Sequence, residues 1–145
     1  MYPESVTRGS KLTPSGPRIP FRHRIAALVA VTLGLLTITE GGSVLLGLST
    51  KPYTILPWLV WYNVVAGFLS VLAGRGLWLK RTWADKLADT IVTLHGLVLL
   101  ILIVLFALKE AVATISIMAM LVRTVAWVGI ILLTRWRIRK QEGNT

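Results

Sequence analysis

The sequence predicts an all-α membrane protein, a bundle of four transmembrane helices with both termini on the cytoplasmic side. Three observations predict it. Apolar blocks cover most of the 145 residues, giving 54% hydrophobic residues and a mean hydropathy of +0.71. The blocks show no period-2 alternation, the pattern an outer-membrane barrel requires. Basic residues collect before the first block, between the second and third, and after the fourth. The other two connections hold only Lys51 and Lys109, so the asymmetry follows the positive-inside pattern.

These blocks divide the chain into a flexible basic tail over residues 1–24, a transmembrane domain over 25–136 and a short basic tail over 137–145. The predicted helices cover about 25–48, 55–79, 86–108 and 111–136, each long enough at 1.5 Å per residue to cross a hydrocarbon core roughly 30 Å thick. Pro14, Pro17 and Pro20 prevent a continuous helix in the first tail. The apolar run of the first helix exceeds that of a cleavable signal peptide, so it reads as a signal anchor.

In the first helix, Thr32, Glu40, Ser43 and Gly47 are expected to share an inward face, and Gly41-Gly42 to permit close packing. Lys51-Pro52-Tyr53 makes an external turn, and Pro57 suits the first turn of the second helix, where a missing N–H costs little. Trp58, Trp61 and Tyr62 read as the outer aromatic belt; Trp78, Trp83 and Trp136 read as the inner one. The second helix carries the clearest packing stripe, Gly67, Ser70 and Gly74 below Asn63, because small and polar residues mark the faces where helices meet in lipid. The third helix offers Asp89, Thr93 and Gly96 on one side, with Asp89 in reach of Lys86, Arg75 or Arg81. A short hairpin around Lys109-Glu110 leads to the fourth, whose inward stripe is Ser116, Ala119, Arg123 and Ala126.

The formal net charge of +10 invites a nucleic-acid reading. Its placement favours topology and contact with anionic lipid head groups through the basic tails. The segment Trp136-Arg137-Ile138-Arg139-Lys140 is the one RNA-like patch, and no nucleic-acid partner is expected. The absence of cysteine removes disulfides, thiolate metal sites and thiol–disulfide exchange.

Arg123 lies in the middle of an apolar stretch, where a charge is costly without a partner. Counted from the cytoplasmic helix ends, Glu40 and Asn63 lie roughly 22 Å deep and Arg123 roughly 16 Å, a difference its long side chain can bridge. An intramembrane cluster of Glu40, Asn63 and Arg123 follows, because two charges in hydrocarbon are tolerable together and expensive apart. It reads either as an ion pair that sets helix register or as a transport or proton-relay site in which Glu40 titrates. His95, placed roughly 12 Å deep and below that cluster, is a ligand or relay candidate, with a plain interhelical hydrogen bond as the simpler role. Haem through His95 would need a second axial ligand at similar depth, and His23 stands in the basic collar, so no cofactor and no metal are expected.

From Trp61 to Trp127 the chain resembles a group of small bacterial four-helix membrane proteins of unassigned function. The likeness rests on Trp61, Asn63, Ala66 and Gly67; on Ala73-Gly74 with Gly76-Leu77-Trp78; on Arg81 and Trp83-Ala84; and on Met120 with Arg123-Thr124 and Trp127. It implies a helix count and the cytoplasmic membrane of a prokaryote, and no residue roles. A looser resemblance to DoxX-type proteins rests on Glu40-Gly41 followed by Leu45-Leu46-Gly47. Three functions are expected from these features. The first is an accessory or scaffold subunit of a larger membrane complex, with partner subunits in the membrane. The second is a small proton- or ion-coupled transporter, a homo-oligomer built on the Glu40–Arg123 pair. The third, least favoured, is a membrane enzyme, for which the chain has neither a His-x-x-x-His motif nor a Ser/His/Asp set at shared depth.

Overall fold

The computed structural model describes residues 21–49, 56–108 and 112–135. Within them the chain forms α1 (Phe21–Leu45), α2 (Pro57–Trp78), α3 (Thr82–Ala107) and α4 (Thr114–Arg135), each long and apolar enough to cross a membrane. Consecutive helices run antiparallel and pack as neighbours, and α4 returns to α1 to close the bundle. The expected turn at Lys51-Pro52-Tyr53, the hairpin at Lys109-Glu110, Trp136 and both tails beyond these helices lie outside the described residues.

Two helices begin earlier than expected. Residues 21–24, read as tail, form the first turn of α1, and α3 begins at Thr82 rather than 86. Charged and aromatic residues suit the polar ends of a helix, so a hydropathy boundary undercounts by about one turn. Helix α1 ends with Gly47 at φ 69°. The Leu48 N–H bonds the Ser43 carbonyl and the Gly47 N–H bonds the Val44 carbonyl, satisfying two terminal acceptors. Gly47 is therefore a helix stop and not part of an inward face. The α2–α3 turn uses the same device with Lys80 at φ 51°, and Arg81 N–H bonds the Gly76 carbonyl across it.

The α1–α2 contact is the closest in the molecule. A Cβ added at Gly34 would stand 2.7 Å from the Gly67 carbonyl oxygen, and one at Gly74 would stand 2.9 Å from the Ala27 oxygen. The two backbones touch, which only small side chains allow and which supplies the dispersion that holds helices together in lipid. Gly67, Ser70 and Gly74 are all buried there, and the Ser70 hydroxyl returns its proton to the Ala66 carbonyl. The matching face of α1 is Ala26, Ala27, Ala30, Gly34, Thr37 and Gly41, while Thr32 points outward. The expected stripe through Thr32 and Ser43 is thus displaced, because alanine and glycine rather than hydroxyls set the approach. Gly41 packs on Val64, Gly42 faces open space, and α1 continues through both.

On α3 the buried positions are Ala84, Ala88, Ile91, His95, Val98 and Leu102, a four–three repeat that replaces the expected Asp89–Thr93–Gly96 side. Asp89 pairs with Arg135 of α4, not with Lys86, Arg75 or Arg81. Helix α4 buries Met120, Trp127 and Ile130, leaving Arg123 on the flank toward α1. Trp58, Trp61, Trp78 and Trp83 remain exposed, as belt residues should.

Among the described residues the core falls into two apolar clusters. One, near the starts of α1 and α3, joins Ala26, Ala30, Ala73, Leu77, Ala84, Ile91, Trp127 and Ile130. The other, toward the opposite end, joins Leu59, Val98, Leu102, Val112 and Met120 and takes no residue from α1. Between them, on every helix, the sequence changes to polar residues.

Candidate functional site

That polar layer brings one or more side chains from each helix to a common level. Helix α1 supplies Thr37 and Glu40, α2 supplies Tyr62 and Asn63, α3 supplies His95 and α4 supplies Arg123. The Arg123 Nη1 donates to Asn63 Oδ1 at 3.0 Å, and its Nη2 lies 3.3 Å from Glu40 Oε2. Sequence depth alone brings these three together, and the structure places them in contact.

His95 stands elsewhere than expected. Because α3 starts at Thr82, His95 lies roughly 20 Å along the helix instead of 12 Å, level with the cluster rather than below it. Its Nδ1 is 2.8 Å from the Tyr62 hydroxyl, with the two rings meeting edge to face. Tyr62 therefore leaves the outer aromatic belt to which the sequence assigns it and turns inward. Both side chains lie within electrostatic reach of the Arg123 guanidinium. In the sequence of α2, Tyr62 differs from the belt residues Trp58 and Trp61 only in standing directly beside Asn63. Among the described residues, no group of three histidine or carboxylate side chains is arranged to hold a metal ion.

The two charged partners differ in exposure, and the difference has consequences. The Arg123 side chain is 14% exposed and the Glu40 side chain 54%. Glu40 stands at the edge of a cavity of about 420 Å³ between α1, α2 and α4. Gly41, Val44, Leu59, Ser116, Ala119 and Met120 contribute to its walls, and Asn63 and Arg123 close one end. The space exists because α1 has no residue in the second apolar cluster: past Thr37 its inward positions hold Gly41 and then Val44, too small to fill the gap to α4. The site is thus an apolar cleft with a fixed guanidinium and a more exposed carboxylate at its polar end.

Such an arrangement can exchange partners. An anion entering the cleft can take the place of Glu40 at Arg123, and Asn63 keeps the guanidinium in position meanwhile. No protein-family model matches the chain, and neither a curated protein nor a solved structure is found to be similar to it. The roles of these residues rest on their geometry.

Proposed function

We propose that the protein is a small multi-pass carrier of the prokaryotic cytoplasmic membrane, with both termini in the cytoplasm, whose substrate site is the cleft ending at Glu40, Asn63 and Arg123. One observation carries this reading: the ion pair is not sealed. A pair whose task is to fix helix register gains most from complete enclosure, whereas here the carboxylate faces a cavity large enough for a small ligand. The charge arrangement favours an organic anion with an apolar portion, taken at Arg123 in exchange for Glu40. Binding with release accounts for the guanidinium, the carboxylate and the apolar walls of the cleft without a chemical step.

The test is ligand-induced thermal stabilisation of the purified protein across a panel of small organic acids. Wild type should be stabilised by at least one of them, Arg123→Gln by none, and Glu40→Gln, which removes the competing carboxylate, at least as much as wild type. Equal stabilisation of wild type and Arg123→Gln would exclude the guanidinium as the anchor.

A second reading follows from the thin contact between α1 and α4. Both helices line the cleft, so a helix of a partner subunit seated against them could fill it, as an accessory role in a larger membrane complex requires. Native mass spectrometry after mild extraction separates the two: stoichiometric foreign subunits favour the accessory role, and a partner-free homo-oligomer favours the carrier.

A further inference from the structure

A second hollow lies at the opposite end of the bundle, where α1 begins and α2 ends. It measures about 290 Å³, and its walls are Ala27, Leu28 and Val31 of α1 with Trp78 and Leu79 at the end of α2. Gly74 forms part of its floor, and Arg75 stands on its wall. The Arg24 guanidinium lies 5.9 Å from the centre of the Trp78 ring that lines the groove. The groove thus has Arg75 on its wall and Arg24 stacked on its tryptophan, and among the described residues basic groups outnumber acidic ones at this end, where Asp85 and the Arg135-paired Asp89 stand. The first turn of α1 carries Arg22 and Arg24 and no acidic residue. Cations there oppose the helix dipole, and a bound anion would offset the local excess of positive charge.

We propose that this groove binds one anionic phospholipid, with an acyl chain lying along Leu28, Val31 and Leu79 and the phosphate held between Arg24 and Arg75. Charge complementarity selects the head group, the apolar wall selects a lipid over a soluble phosphate, and the indole ring of Trp78 fits the boundary between them. The site rests on the membrane-spanning reading and is independent of the cleft at Glu40. The lipid would also bridge the cytoplasmic ends of α1 and α2, where the glycine contacts bring the two helices together.

The test uses the full chain in mixed phosphatidylglycerol and phosphatidylcholine micelles, with retained lipid counted by native mass spectrometry. Wild type should retain one phosphatidylglycerol in preference to phosphatidylcholine, by about thirtyfold for two arginines at the interface. Arg24→Gln with Arg75→Gln should lose that preference, and the charge-matched pair Arg22→Gln with Lys86→Gln should keep it. Leu28→Trp, which fills the groove and leaves every charge in place, should also lose it. Equal loss in both charge-reduced pairs would overturn the proposal in favour of a diffuse basic surface. Displacement of the lipid by millimolar glycerol phosphate would overturn it in favour of a soluble phosphate site. Retention of the lipid by Leu28→Trp would show that the groove holds no chain. Absence of any bound lipid in all variants would instead count against the membrane reading itself.

Discussion

At the residue scale, the account depends on an asymmetry between two charges. Arg123 is largely enclosed and has two partners, while Glu40 is more than half exposed. Removing the enclosed member takes a donor from Asn63 and an ion-pair partner from Glu40, so Arg123→Ala should cost about 1–3 kcal/mol. Glu40→Gln keeps an acceptor near Nη2 and should cost less than about 1 kcal/mol. Thermal denaturation in detergent measures both, and a larger loss for Glu40→Gln would reverse the assigned roles. The cluster was legible from sequence because an arginine and a glutamate in apolar segments need each other, and helix rise places them within reach. The Tyr62–His95 contact was not, because the interfacial first turn of α3 shifts the depth of His95 by about 8 Å.

At the element scale, the decisive contact is the approach of α1 to α2. A methyl at Gly34 would collide with the Gly67 carbonyl and with the backbone nitrogen of Val71 at 2.9 Å, and neither can move aside without parting the helices. Gly34→Ala should therefore destabilise the bundle by about 1–3 kcal/mol. Gly42→Ala meets nothing within 4 Å and should be neutral or stabilising by up to about 1 kcal/mol, as alanine favours helix. Gly47→Ala also meets nothing, yet its φ of 69° should make it cost about 1 kcal/mol. Denaturation midpoints of the three variants test whether space or backbone conformation governs each glycine. The α2 stripe of Gly67, Ser70 and Gly74 could be read from spacing alone. The α1 face could not, since Ala26, Ala27 and Ala30 resemble lipid-facing residues in hydropathy and differ from them only in size.

For the whole molecule, four apolar blocks of spanning length were enough to give the helix count, and their short connections enough to give antiparallel neighbours. The division of the core into two apolar clusters around a polar layer was not visible, because it depends on the register of α3 and α4 against α2. Nor was the cleft, which arises from what α1 lacks beyond Thr37. The central claim is that this cleft admits water and ligand to the Glu40–Arg123 pair. The chain contains no cysteine, so single thiols report on it directly. The measurement is the rate at which a hydrophilic, membrane-impermeant thiol reagent labels Ala119→Cys on the cleft wall and Val125→Cys on the outer face of α4, in intact membranes. A thiol in water forms the reactive thiolate, whereas one facing hydrocarbon does not. Ala119→Cys should label about tenfold faster than Val125→Cys. Equally slow labelling of both would mean that the cleft is sealed in the membrane, and Glu40 with Arg123 would then be a structural pair and not a substrate site.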